Sequence, residues 1–159
     1  MGSQRDRHEL RVGGPTDAGL LGRMLAEFNL EYGETEPPAE QVAALAGPQL
    51  TSGEVAVVFG PGDPPAGFAQ LRFRGSLYEA GPDACLEELW VRPAFRGAGL
   101  GRALLEAAMD LARARGATRI DLNTSVTDEA ARALYEACGF TNEELGPGGP
   151  SMLYYERDL

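Results

Sequence analysis

Apolar positions recur along the chain with two different periods. Over residues 16–32, Leu20, Leu21, Met24, Leu25 and Phe28 fall on one face of a helical period, with Thr16 or Asp17 placed to cap a helix running towards Tyr32. A short strand over residues 8–12 precedes it, closed by Gly13-Gly14-Pro15. Pro37-Pro38 opens a second short helix with Val42, Ala43, Leu45 and Ala46, and Gly47-Pro48 is expected to end it. The period then changes. Residues 54–59 (EVAVVF) and 67–74 (GFAQLRFR) are rich in β-branched and aromatic side chains and flank a Gly/Pro turn cluster, which predicts an antiparallel hairpin. Residues 84–91 (ACLEELWV) read as a further strand, whose alternation would send the neighbours Glu87 and Glu88 to opposite faces of the sheet.

The helical period returns over residues 99–115, where Leu100, Leu104, Ala107, Ala108 and Leu111 share a face and Gly116 is a stop. A strand over 119–123 follows, then an amphipathic helix over 128–138 with Ala131, Leu134, Tyr135 and Cys138 on one side, ended by Gly139. Phe140, a Gly/Pro loop at 146–150 and a final strand over 152–157 complete the order. No internal repeat is visible, and the Pro/Gly clusters are too short to be linkers. The expectation is one α/β domain over residues 1–159, with hairpins early and a strand-helix-strand-helix unit late.

Composition adds limits. The 159 residues hold 24 acidic against 14 basic side chains, a formal charge of −10, so nucleic acid and anionic membranes are repelled at long range and small cationic molecules are favoured. No window is long and apolar enough to span a bilayer, and the start MGSQRDRHEL has no apolar signal core, so a soluble cytoplasmic protein is expected. Cys85 and Cys138 lie in apolar segments without framework spacing, and His8 is the single histidine, so neither a disulfide nor a metal site is expected.

The chemistry-bearing segment follows the strand that ends at Val91: Arg92-Pro93-Ala94-Phe95-Arg96-Gly97-Ala98-Gly99-Leu100-Gly101-Arg102. A glycine-rich turn between a strand and a helix start exposes several backbone N–H groups in one concavity, backed by the positive helix end, and so suits a pyrophosphate. Arg96 adds charge at its rim, with Arg92 and Arg102 beside it. Three glycines in five residues also suit a tight turn that needs φ > 0, and the segment alone leaves both readings open.

The spacing Arg-x-x-Gly-x-Gly, preceded by Val-x-Pro on a strand, resembles the acetyl-CoA motif of the GNAT superfamily of N-acyltransferases, through Val91, Pro93, Arg96, Gly99 and Gly101. Downstream, Ala131, Leu134, Tyr135, Gly139 and Phe140 match the A-x-x-L-Y-x-x-x-G-F signature of the same family. The segment CLEELWV is similar to the YLEDxxV strand of the diamine and spermidine acetyltransferase branch. One departure is Asp128, where the family often has Asn, which puts an amide contact to the cofactor in doubt and leaves Asp128 as a helix N-cap.

The resemblance implies a single GNAT-like domain: a mixed six- to seven-stranded sheet with a central splay, flanked by about four helices. It implies acetyl-CoA as cofactor, held by Arg96, Gly97, Ala98, Gly99, Leu100, Gly101 and Arg102, with contacts from the strand residues Leu89, Trp90 and Val91 and from Asn123, Asp128 and Ala131. The reaction implied is acetyl transfer to a primary amine by direct attack in a ternary complex. An ammonium of pKa about 10.4 must first lose a proton, and Glu87 is the first choice of base, Glu88 the second. Backbone N–H groups of the central strand would meet the charge on the carbonyl oxygen, and Tyr135 stands at the position of the acid that protonates the leaving thiolate. With no activating partner, neither cysteine reads as a nucleophile.

Glu27, Glu31, Glu34 and Glu36 concentrate negative charge at one edge and either attract a cationic acceptor or form a solvated face. Tyr32, Phe73, Tyr78 and Trp90 either line an apolar part of that pocket or belong to the core. The leading reading is an acetyltransferase of a cationic small-molecule amine, the second a protein or peptide N-acetyltransferase, and the third a non-catalytic acetyl-CoA-binding module. A homodimer is common in the family, but the sequence specifies no interface.

Overall fold

The hairpin expected around the Gly/Pro cluster forms, with Val55–Phe59 (β2) and Gly67–Arg74 (β3) paired antiparallel, Val57 opposite Gln70. It is the centre of a five-stranded sheet in a computed structural model that describes residues 9–159. Arg11–Val12 (β1) pairs antiparallel with β2, Asp83–Val91 (β4) antiparallel with β3, and Ile120–Asp121 (β5) parallel with β4, in the spatial order β1-β2-β3-β4-β5. His8, expected in the first strand, lies outside the described residues. The chain divides into two compact units, one up to Leu122 and one over Asn123–Leu159.

In the first unit both sheet faces are covered, which is why β2 and most of β3 are buried throughout. Val55, Val57, Phe59, Phe68 and Trp90 face the helices Ala18–Glu31 (α1) and Ala39–Ser52 (α2), which contribute Leu21, Met24, Ala46 and Leu50 to that core. The other face is packed by Leu100–Ala114 (α3), with Leu100, Leu104, Leu105, Ala108 and Ala112 buried. Each fully buried Leu, Phe or Met is worth about 1.5–3 kcal/mol, so the two helical layers fix which way every β3 and β4 side chain points.

Helix α2 does not stop at Gly47-Pro48 as expected but runs on to Ser52, ending at Gly53 with φ 80°. Pro48 removes one ladder donor. Side chains add bonds on either side of it: Gln49 Nε2 donates to Leu45 O (2.8 Å) and Thr51 Oγ1 to Gly47 O (2.9 Å). Beyond Pro48, Leu50 is anchored in the core.

The second unit contains Glu129–Ala137 (α4), capped by Asp128, whose Oδ1 accepts from the Ala131 N–H (3.0 Å). Tyr135 packs edge-on against Phe140, ring centroids 5.9 Å apart. The final strand expected over 152–157 does not form. Glu143 and Ser151 make one isolated antiparallel bridge, and Leu153, Tyr154 and Tyr155 are exposed. Alternating side chains make a strand only where a ladder takes up the backbone groups, and among the described residues the sheet therefore has five strands where six to seven were expected. The α/β class and the four helices agree with the expectation.

Helices α1 and α2 approach closely at Gly22, where an added Cβ would meet the Ala39 carbonyl oxygen, a backbone atom that cannot give way alone. Gly22→Ala is expected to destabilise the fold by roughly 1–3 kcal/mol, read as a lower midpoint in urea unfolding followed by circular dichroism.

Candidate active site

Strand β4 carries the candidate site because its two edges are unequal. Against β3 it is paired along its whole length, from Asp83 opposite Arg74 to Val91 opposite Gly67. Against β5 it is paired only at Ala84 and Cys85, with Ala84 N–H donating to Arg119 O (3.1 Å). This is the splay the sequence reading expected. Arg92 N–H donates back to Ala66 O (2.9 Å), which sets the phase of the ladder: the Trp90 N–H faces β3, and the N–H groups of Leu89 and Val91 face the open side.

The register along β4 shifts between Gln70 and Leu71, because Gln70 opposes Glu88 while Leu71 opposes Leu86. Glu87 is the extra residue of a β-bulge. This overturns the expectation that Glu87 and Glu88 face opposite sides of the sheet. Residues directly opposed share a face, which puts Glu88 beside Gln70, and Gln70 Nε2 also donates to Glu87 Oε2 (2.6 Å). Both carboxylates therefore lie on the side covered by α1 and α2.

They differ in surroundings. Glu87 is gripped by Arg72, whose Nε and Nη2 donate to its two oxygens at 2.7 and 3.2 Å, while Arg72 Nη1 reaches Glu54 and Gln49, each at 2.8 Å. Glu88 has no such cation among the described residues. Burial, and then the charge of Glu87, push its carboxyl up to about 7. In the same strand, burial and then Asp121 push the Cys85 thiol up to about 12, which leaves it protonated at neutral pH.

After Val91 the chain makes a short 3₁₀ turn, Pro93–Phe95, and then the glycine turn. Gly97 and Gly99 have φ of 81° and 84°, values that favour glycine, and a Cβ on either would meet no protein atom within 4 Å. The first α3 bond runs from Ala103 N–H to Gly99 O (3.1 Å), so Leu100, Gly101 and Arg102 present the N–H groups a helix start leaves without intrahelical acceptors. An open turn lined by backbone donors at the positive end of a 15-residue helix fits a diphosphate.

The arginines near this turn are not the loose cationic spot the sequence suggested. Arg92 donates to both Glu27 oxygens (2.9 Å each), Arg96 Nη2 to both Glu31 oxygens (2.7 and 2.8 Å), and Arg102 Nε to Glu106 (2.9 Å). The acidic edge of α1 is thereby neutralised at Glu27 and Glu31. The aromatic grouping also separates: Phe73 opposes Ala84 on the α3 face, Trp90 is buried on the α1 face, and Tyr32 and Tyr78 are exposed. The remaining candidates lie in the second unit, where Asn123 is exposed, Asp128 caps α4, Ala131 donates to that cap, and Tyr135 is partly buried against Phe140. Sequence reading missed Arg72 and Gln70. Their only signal was their placement two apart on β3, which puts both on one face.

The chain belongs to the Acetyltransferase (GNAT) family, whose profile matches residues 22–140. It is similar to a solved protein of Arthrobacter sp. FB24 described as a "putative acetyltransferase", at 42% identity and a TM-score of 0.85, covering 94% of this chain and 95% of that one. The mycothiol acetyltransferase of Beutenbergia cavernae is 45% identical over 69 residues, 42% of this chain and 23% of that protein. An aminoglycoside N(6')-acetyltransferase type 1 of Stenotrophomonas maltophilia is 37% identical over 81 residues, 49% of this chain and 53% of that protein. The matched stretches thus span about a quarter and about a half of these two curated relatives. No described helix is long and apolar enough to cross a membrane.

Because the charge of Glu87 contributes to the raised proton affinity of Glu88, Glu87→Gln should lower the Glu88 titration midpoint below about 7. Carbon-detected NMR titration of the side-chain carboxyl measures it.

Proposed function

We propose that the chain transfers an acetyl group from acetyl-CoA to the primary amine of a cationic small molecule, by direct attack in a ternary complex. The observation that carries this reading is Glu88, a carboxyl held near neutral proton affinity on β4, in the strand whose unpaired edge leads into the glycine turn. The similarity to a mycothiol acetyltransferase and an aminoglycoside acetyltransferase supports the acceptor class. The acidic balance of the chain favours a cation over an anion.

When bound, acetyl-CoA supplies a thioester as acetyl donor. The N–H groups of Gly97 to Arg102 are the donors for its diphosphate, and those of Leu89 and Val91 are the donors for negative charge on the carbonyl oxygen. Glu88 takes the amine proton. A carboxylate that titrates near 7 is about half ionised at neutral pH and is a stronger base than an ordinary glutamate. The acceptor's ammonium first gives one proton to solvent, leaving a neutral amine with a free lone pair, and as that nitrogen bonds to carbon its remaining protons become far more acidic, so transfer of one of them to Glu88 runs downhill. Glu87, already committed to Arg72 and Gln70, is the residue that tunes this base, which reverses the order of preference the sequence suggested. Tyr135 is the proton donor to the departing sulfur.

The raised carboxyl has a sign that can be checked. The protonated form of Glu88 is favoured by the fold, so its contribution to stability is present below the ordinary glutamate range and is lost as pH rises through about 7. Activity runs the other way, because the base must be ionised. The pH profile of kcat/KM should rise with a midpoint near 7. Glu88→Gln should lose roughly 10²–10⁴ in rate and flatten that rise. Tyr135→Phe should lower kcat while leaving coenzyme A affinity within about twofold. The defining experiment is release of free thiol from acetyl-CoA across aminoglycosides, polyamines, amino acids and peptides. Turnover confined to peptides would replace the small-molecule reading with a protein acetyltransferase, and tight cofactor binding without turnover would leave a binding module.

A further inference from the structure

The two arginines that flank the glycine turn reach back to the same helix at matched spacing. Arg92 and Arg96 are four residues apart beside the turn, and Glu27 and Glu31 are four apart at the end of α1. Glu31 accepts three hydrogen bonds from two donor groups: the Trp90 indole N–H at 2.6 Å and Arg96 Nη2 at 2.7 and 2.8 Å to its two oxygens. The indole first, then the guanidinium, hold its carboxyl below the usual range. Arg96 is tied at its other end too, where Nε donates to the carbonyl of Val91, the last β4 residue, at 2.9 Å. One helical turn earlier, Arg92 pairs with Glu27, donates to Pro65 O and lies 5.9 Å from the Trp90 ring centre.

An isolated exposed ion pair contributes little. This is a network instead, with two carboxylates, two guanidiniums, an indole and two backbone carbonyls in one place, and the Arg92 side chain is only 15% exposed. Its effect is to fasten the segment between β4 and α3 to α1 at two points. Fixing a binding loop in its bound form removes an ordering cost from the binding step.

We propose that Glu31 is a positioning residue for the glycine turn: through Arg96 and Trp90 it holds that turn in the form that receives a diphosphate. Arg96 is then an arm of the clamp, and the phosphates are met by backbone N–H groups. The proposal rests on the acetyl-CoA reading above. The competing arrangement has Arg96 leave Glu31 for a phosphate, in which case Glu31 opposes binding.

The two are separated by calorimetric titration of free coenzyme A into the wild-type protein and the variants Glu31→Gln, Arg96→Ala and the double variant. The clamp predicts that each single change weakens binding about tenfold and that the double change is no worse than the worse single one, because both break one unit. It predicts a raised KM for acetyl-CoA with kcat within about twofold. Glu31→Asp, which keeps the charge with a shorter reach, should recover part of the loss and serves if Glu31→Gln fails to fold. Trp90 is the chain's single tryptophan, so its emission should shift in Glu31→Gln and in Arg96→Ala without any ligand. Unchanged or tighter coenzyme A binding by Glu31→Gln, with weaker binding by Arg96→Ala, would overturn the clamp and make Arg96 a phosphate ligand. A wild-type protein that does not bind coenzyme A would overturn the acetyl-CoA reading itself, and the positioning role with it.

Discussion

Strand β4 has a full partner on one side and a two-residue partner on the other, and the rest of the site depends on that inequality. A strand paired on both edges has no main-chain donor to offer. Here β5 ends at Asp121, opposite Cys85, and the outward N–H groups of Leu89 and Val91 stay on an edge that no described strand claims. The same ending lets the chain leave β4 at Val91 straight into a turn that ends at the first residue of α3. Donors along the strand and donors at the helix start are thereby brought into one stretch of sequence, Leu89 to Arg102.

Charge in this region is organised by short pairs and not by net balance. The chain carries a formal −10, yet each arginine beside the glycine turn is met by a carboxylate. A diphosphate approaching the turn therefore meets oriented backbone dipoles more than free cations. On the α1 and α2 side of β4 the logic is reversed: one guanidinium, Arg72, is shared by Glu54 and Glu87, and no described residue gives Glu88 a cation, in a setting that disfavours its ionised form.

Much of this was legible in the chain. The apolar periods located α1 and α3, which each bury one regular stripe, and α4, whose period is amphipathic although none of its residues is fully buried, while a run of β-branched and aromatic residues located the β2–β3 hairpin. The glycine turn could be read because positive φ and open space leave few residue types to choose from. What could not be read were relations between distant segments. Glu27 and Glu31 lie 65 residues from the arginines they bind, so a local reading sees only an acidic helix end. Pro48 looked like a stop, since the anchoring of Leu50 beyond it is a tertiary fact. The bulge at Glu87 was invisible because strict alternation is assumed until a partner strand shows the register.

That single extra residue also resolves a conflict of parity. Ala84 and Leu86 are even-numbered and oppose Phe73 and Leu71 on the α3 face, while Glu88 and Trp90, even-numbered as well, oppose Gln70 and Phe68 on the α1 face. An unbroken strand would force all four to one side. Glu87 acts as a half-step in the pleat, so the first half of β4 anchors its even residues in one hydrophobic layer and the second half delivers its even residues to the other. The parity that assigns residues to the two faces is thus exchanged midway along one strand, without a loop and without a break in the sheet.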